Sequence, residues 1–377
     1  MHFHDESKSK IKSRSKKRRS RQSAQVSHPV RAAFAVFAAF LLAACGGPRG
    51  GDESLTAKFS GGTMGTEYHV TVAGLTAPEQ AEAAQKAVEA ALESVNAKMS
   101  TYLPDSELSR FNRHDSTEPF PVSPETAEVF RIALEVAALS GGAFDPTVGP
   151  LVNAWGFGPD NPAAPPSEAE TAALQGRVGW QKVSVGADNT LCKTRGDVYC
   201  DLSAVAKGYA VDRAAAALEA LGLTRHMVEV GGEVRARGTN PGGRPWRIGV
   251  ERPRPDGRAV QEVVALRDAA LATSGDYRNF HEVDGVRVSH TMDPRAGRPV
   301  THSLASASVL HEYCAWADAF ATALMVLGPE EGLAFAEKNG LAVSLMIREP
   351  DGAFTIRNTP AFDAALAPMD RTAGSPQ

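Results

Sequence analysis

Cys314-Ala315-Trp316-Ala317-Asp318-Ala319-Phe320-Ala321-Thr322-Ala323-Leu324-Met325-Val326-Leu327 is apolar nearly all round. A helix without a polar face is one buried on every side. The expected helix covers roughly residues 312–327 and is stopped by Gly328-Pro329. One carboxylate, Asp318, stands in its middle. Burying an ionised carboxylate costs several kcal/mol unless a cation or hydrogen-bond donors meet it. Thr322 follows four residues on, which puts its hydroxyl on the same face. A carboxylate and a hydroxyl one turn apart are hard oxygen ligands of the kind Mg²⁺ takes. A structural role fits equally, with Asp318 bonded to a basic side chain or backbone amides and Thr322 bonded back to its own helix. This helix alone does not separate the two.

Around it, strand-like runs occupy residues 68–72, 182–185, 227–230, 246–250, 262–266, 271–274 and 306–310. Thr76-Ala77-Pro78-Glu79 has the spacing of a capping box, with Ala84, Val88, Ala91 and Val95 on one face of the helix that follows. Ser123-Pro124-Glu125 opens a second helix, closed by Gly141-Gly142. Ser203 is positioned to cap a third, over about 204–221. Strands and helices are interspersed without a regular β-α repeat, so the expected class is α+β rather than a doubly wound sheet. Residues 159–166 are the most Pro-rich internal stretch and read as a loop. No long linker, low-complexity tract or internal repeat interrupts 58–366, so one domain is expected there, with a loose tail over 367–377.

The N-terminus reads as an address. Residues 1–31 carry ten Lys and Arg against Asp5 and Glu6, and an apolar run over 32–44 ends at Cys45. A basic segment, a short apolar core and small residues at the cut describe a secretory signal over 1–44. The run is too short for a comfortable membrane span, which needs about 20 residues. Leu42-Ala43-Ala44-Cys45-Gly46 resembles a bacterial lipobox. Cys45 would then be lipidated, anchoring the chain on the periplasmic side of the inner membrane, with 45–57 as tether. A plain signal with a coincidental cysteine is the alternative. The whole chain has a formal charge of −4. Residues 1–44 hold ten basic and two acidic residues of the 40 and 44, so the remainder carries 30 against 42, a charge of −12. An acidic body argues against nucleic-acid binding. Of the four cysteines, Cys192 and Cys200 flank a turn and are candidates for a disulfide in an oxidising compartment, while Cys314 belongs to the apolar helix.

Two further segments bear chemistry. Asp201-Leu202-Ser203-Ala204-Val205-Ala206-Lys207-Gly208-Tyr209 opens the third helix. Its free amides and dipole suit a phosphate, Lys207 adds a positive charge, and Asp201 is placed to orient a ligand or the cap. His290 enters a turn, Asp293-Pro294-Arg295-Ala296-Gly297, after an alternating strand. Gly231-Gly232-Glu233 reads as a tight backbone approach only. GxGxxG between a strand and a helix, GxxxxGK[ST], HExxH and GxSxG are all missing, which removes Rossmann, P-loop, zincin and α/β-hydrolase readings.

Taken together these segments resemble the ApbE family of flavin transferases. The resemblance is carried, in order, by Gly62-Thr63-Met64-Gly65-Thr66, Met99-Ser100-Thr101-Tyr102, Ser106-Glu107-Leu108-Ser109-Arg110-Phe111-Asn112 and Gly142-Ala143-Phe144-Asp145-Pro146-Thr147. Trp155-Gly156-Phe157-Gly158, the Asp201 segment, Glu229-Val230-Gly231-Gly232-Glu233, Ala272-Thr273-Ser274-Gly275-Asp276-Tyr277, the His290 segment and Asp318 with Thr322 continue it. It implies an α+β fold resembling the tunnelling-type (T-fold) barrels, with mixed or antiparallel sheets and packed helices. It also implies cleavage of FAD at its pyrophosphate and transfer of FMN to a Thr or Ser hydroxyl of a partner protein, with Mg²⁺ (Mn²⁺ as the alternative) and release of AMP. Acceptors would resemble Rnf- or Nqr-type subunits bearing a Gly-Ala-Thr or Gly-Ala-Ser motif. By position, Met64, Tyr102, Ala143, Phe144, Asp145, Asp201, Lys207 and Met292 would bind the flavin nucleotide. Asp318, Thr322 and the Ala204 carbonyl would hold the metal, and His290 would be the catalytic histidine. Many relatives carry an aspartate just before the threonine, where this chain has Ala321. Two alternatives remain at this stage: an FAD pyrophosphatase that uses water as acceptor, and a non-catalytic flavin-binding lipoprotein.

Overall fold

The computed structural model describes residues 54–158, 165–254, 257–276, 280–283 and 286–366. The expected signal, Cys45 and the tail over 367–377 lie outside the described residues, as does the expected tether up to residue 53. Eight strands pair into one sheet in chain order: β1 (Leu55–Thr63), β2 (Thr66–Leu75), β3 (His226–Val230), β4 (Glu233–Arg237), β5 (Ala269–Gly275), β6 (Leu304–His311), β7 (Ala342–Arg348) and β8 (Phe354–Asn358). Every neighbouring pair is antiparallel. The sheet begins three residues before the expected domain start at 58.

Most of the chain is inserted between these strands. Four long helices, α1 (Glu79–Met99), α2 (Pro124–Leu139), α3 (Ser203–Ala220) and α4 (Cys314–Lys338), form a layer on one face. The hairpin of Trp246–Arg254 and Gly257–Leu266 covers part of the other, closing a smaller core around Trp246, Val250, Val264, Leu266 and Phe362. Period-two alternation divides the strands between these layers. Val234 and Ala236 of β4 and Leu271 of β5 join the smaller core, while Val228 and Val230 of β3 and Ala270 and Ala272 of β5 face the helices. The α+β class and the antiparallel sheet are as expected, but barrel closure is not found. Among the described residues nothing pairs β1 with β8, and both remain edges. Layers laid on the two faces bury the apolar rows here, so the sheet does not need to curl onto itself.

Helix ends differ instructively from the expectations. Ser123 caps α2 as expected, accepting the Thr126 amide. At α1 there is no side-chain cap; instead Gln80 Oε1 reaches back to the amides of Thr76 and Ala77. Ser203 does not cap α3 but begins it, and Asp201 Oδ1 accepts the Ser203 amide at 2.8 Å. Helix α4 breaks at Gly328 (φ 79°) as expected, then resumes over Pro329 to Lys338. Its N-terminus is capped from a neighbour: Asp212 of α3 takes the Cys314 and Ala315 amides at 2.9 Å each and pairs with Arg235 of β4. By length and composition α4 would span a membrane, yet most of it is buried against α3 and the sheet. Cys192, Cys200 and Cys314 are free thiols.

Candidate active site

Where α3 crosses α4 the two backbones nearly touch, and Gly208 is the reason. A Cβ at Gly208 would lie 2.3 Å from the Cys314 carbonyl oxygen and 2.8 Å from Asp318 Cβ, so only glycine lets the helices come this close. The closeness brings the Gly208 amide to Asp318 Oδ2 at 3.0 Å. A regular helix would aim that amide at the Ala204 carbonyl. Asp318 is 2% exposed. Lys207 Nζ stands 3.8 Å from Asp318 Oδ1 and 2.6 Å from Glu233 Oε1. Glu233 opens β4 after the Gly231-Gly232 turn, both glycines at positive φ. A Cβ at Gly231 would press on Thr66 of β2 at 2.9 Å. Glu229 ties the turn down by accepting the Gly232 amide at 2.6 Å and contacting His69 at 2.7 Å.

Two carboxylates therefore share one ammonium in a buried place. Burial pushes the Glu233 carboxyl up to about 7, opposed by Lys207 and reinforced by the Asp318 charge. Burial likewise raises Asp318, against the pull of Lys207 and the Gly208 amide. Burial opposes the charge on Lys207, but Asp318 and Glu233 outweigh it and hold the ammonium above its ordinary range.

These groups open onto a cleft of about 1250 Å³. Common ligand pockets reach about 1,000 Å³, so a dinucleotide has room. The N-terminal turn of α3 faces it through Ser203, Ala204 and Lys207. Phe144, Val148 and Phe157 supply apolar wall, and His290 lies with its ring centroid 6.3 Å from that of Phe157, nearly edge-on. Tyr102, 68% exposed, stands at the mouth on a loop latched by Ser100, whose Oγ takes the Tyr102 and Leu103 amides. Among the described lining residues Lys207 is the sole Lys or Arg, whereas Asp201, Glu229, Glu233 and Asp318 all face the cleft. An anionic pyrophosphate in such surroundings calls for a further cation.

The donors fit a divalent metal. Among the described residues no group of three or more His, Cys, Asp or Glu is arranged to hold one, so the site rests on mixed oxygens. Asp318, Thr322 and Ala204 all line the cleft, and their donor types are a carboxylate, a hydroxyl and a backbone carbonyl. Ser274 of β5, which the sequence reading left without a role, adds a second hydroxyl 3.3 Å from that of Thr322. Glu233 Oε2 is buried without a hydrogen-bond partner, a sign of charge left unneutralised by the protein alone.

The chain matches the ApbE family model over residues 64–345. It belongs to the ApbE family. An FAD:protein FMN transferase of Vibrio cholerae is 46% identical over 294 residues, covering 78% of this chain and 88% of the relative. One of Haemophilus influenzae is 43% identical over 338 residues, covering 87% and 95%. The solved flavin transferase ApbE from Vibrio cholerae superposes with a TM-score of 0.77 at 43% identity, covering 83% of this chain and all of that one. Apo flavinyl transferase ApbE from Pseudomonas stutzeri gives 0.76 at 39%, covering 83% and 97%.

Of the site residues expected in an ApbE protein, Tyr102, Ala143, Phe144, Asp145, Asp201, Ala204, Lys207, His290, Met292, Asp318 and Thr322 all line the one cleft. Met64 does not line it. Met64 and Gly65 form the β1–β2 turn, both at positive φ, and the half-buried Met64 side chain packs against the main core. Asp145 has an internal duty as well: it takes the amide and hydroxyl of Thr147 and the Trp180 amide, locking the loop that presents Ala143 and Phe144. Burial raises its carboxyl, partly offset by those three bonds. Sequence reasoning gave no role to Glu233 or Ser274. The signal for Glu233 was a carboxylate placed directly after a Gly-Gly turn, where the following strand must enter the helix-covered face.

Proposed function

We propose that this chain is an FAD:protein FMN transferase, moving FMN from FAD to a Thr or Ser hydroxyl of a flavoprotein acceptor and releasing AMP. One observation carries it: Asp318, Lys207, the first turn of α3 and His290 converge on a single dinucleotide-sized cleft. FAD's pyrophosphate would lie against that turn and Lys207, with Phe144 and Tyr102 gripping flat rings. Asp318, Thr322 and the Ala204 carbonyl would hold Mg²⁺, with Mn²⁺ the alternative. Bound there, the ion neutralises charge that develops on the pyrophosphate. The acceptor oxygen attacks the FMN-side phosphorus, the bond to the AMP phosphate breaks, and AMP leaves with the electron pair. His290 takes the hydroxyl proton, a role suited to an imidazole of intrinsic pKa about 6.5.

Residues 1–44 would direct export, and Cys45 would carry the lipid that holds the enzyme at the periplasmic face of the inner membrane. Acceptors there would resemble Rnf- or Nqr-type subunits with a Gly-Ala-Thr or Gly-Ala-Ser motif. The test follows AMP release with and without an acceptor fragment carrying that motif. AMP appears in step with acceptor added, and His290→Ala slows it by about 10²–10⁴-fold. AMP and free FMN formed at full rate without acceptor would assign hydrolysis instead. Undiminished transfer by His290→Ala would remove the base role.

A further inference from the structure

Glu233 stands outside the expected ligand set and shares the Lys207 ammonium with Asp318. The lysine ammonium is within reach of two buried carboxylates and bonded to one of them, 2.6 Å from Glu233 and 3.8 Å from Asp318. The shorter contact is a charge-assisted hydrogen bond, whereas the longer is too far for one. Asp318 Oδ2 is already taken by the Gly208 amide. Oδ1 is therefore the oxygen for which an ammonium and a metal ion would compete. A lysine settled on Asp318 would form a buried ion pair, and a buried pair resists separation because either charge left alone is strongly penalised. Glu233 prevents that by offering the ammonium a closer partner. It does so from a fixed place: the Gly231-Gly232 turn sets its backbone, and Glu229 pins the turn. Its second oxygen is buried without a hydrogen-bond partner, and the first accepts from Lys207.

We propose that Glu233 is a positioning residue that holds the Lys207 ammonium off Asp318 and so keeps Asp318 Oδ1 open to a divalent cation. Lys207 is thereby left beside the cation at the first turn of α3, where both positive charges face a bound pyrophosphate. The residue just before Thr322 is Ala321, so Asp318 is the one carboxylate that this stretch of α4 brings to the cleft. The inference rests on the metal-dependent reading given above.

The test is Mn²⁺ binding to the full-length protein without FAD, read from the electron paramagnetic resonance signal of free Mn²⁺. Wild type binds one Mn²⁺, and Asp318→Asn abolishes it. Glu233→Gln weakens binding by about 10–100-fold, the usual loss when a partner that orients a metal ligand is removed. Adding Lys207→Gln to Glu233→Gln restores binding to near the wild-type value, because the competing ammonium is gone. Rescue by a second deletion is not expected of damage to the fold, and urea unfolding checks that each variant is folded. Glu233→Asp, which keeps the charge, gives an intermediate loss and serves if Glu233→Gln does not fold. Unchanged binding in Glu233→Gln, or a double variant as weak as the single one, overturns the proposal. No binding by wild type, or full binding by Asp318→Asn, overturns the metal site itself.

Discussion

His226 sits on the helix-facing row of β3, fully buried, with Nδ1 2.8 Å from the Leu223 carbonyl oxygen and Nε2 without a partner. That arrangement suits a neutral ring, and burial holds its pKa below the ordinary value. The folded state thus binds a proton less readily than the unfolded chain, whose histidine titrates near about 6.5. Stability is full above that value and falls as pH drops through it, by at most about 1.4 kcal/mol per pH unit for one proton. His311, also lowered mainly by burial, acts in the same direction. Glu233, raised to about 7, acts the other way over the same range, so the check is a difference: between pH about 7 and about 5 in urea unfolding, His226→Asn is expected to lose less stability, or gain more, than the wild type. An unchanged slope in the variant would place the acid sensitivity elsewhere. At this scale the sequence was informative about residue type and poor about residue duty. Asp145 was legible as a carboxylate in a motif, but its three internal bonds come from Thr147 and from Trp180, 35 positions away. Glu233 was legible as a carboxylate after a Gly-Gly turn, but its duty depends on Lys207, which a separate element delivers.

The helix of Cys314–Lys338 shows what an element can declare in advance. Its all-round apolarity announced burial, and the lone Asp318 announced a buried carboxylate that must be answered by a cation or by donors, without saying which. Strands of alternating pattern were found where expected in β2, β3, β5 and β6, whereas β1, β4, β7 and β8 were not anticipated. Caps were harder: the first turn of α4 is served by Asp212 of α3, a contact no local window contains. Packing between α3 and α4 turns on Gly208. Gly208→Ala would drive a methyl into the Cys314 carbonyl, separating the helices. Overpacking of this kind costs about 1–3 kcal/mol, read as a lower urea midpoint. The same variant is expected to lose Mn²⁺ affinity, because the Gly208 amide fixes Asp318. Wild-type stability in Gly208→Ala would show that the helices have slack.

For the molecule as a whole, an eight-stranded meander supports the site by bringing strand ends and helix ends to one cleft. Thr66, Gly231–Glu233 and Ser274 lie at or beside strand ends and line one cleft, although the inserted helical layer separates Thr66 from Gly231 along the chain. The α+β class was legible from the lack of a β-α repeat. That the sheet stays open was not, because closure depends on whether β1 meets β8, which no local pattern encodes. The proposed export signal and lipid anchor at Cys45 are tested separately. Full-length protein expressed in a bacterium with an outer membrane is expected in the membrane fraction, and Cys45→Ser in the soluble extract. Equal fractionation of the two would rule out an anchor at Cys45.

The central claim is group transfer at this cleft. The direct measurement is the intact mass of an acceptor fragment bearing Gly-Ala-Thr after incubation with the protein, FAD and Mg²⁺. The account predicts a gain of one FMN, absent with chelator, with Asp318→Ala, or when the acceptor threonine is replaced by alanine. An acceptor of unchanged mass alongside free FMN and AMP would contradict it.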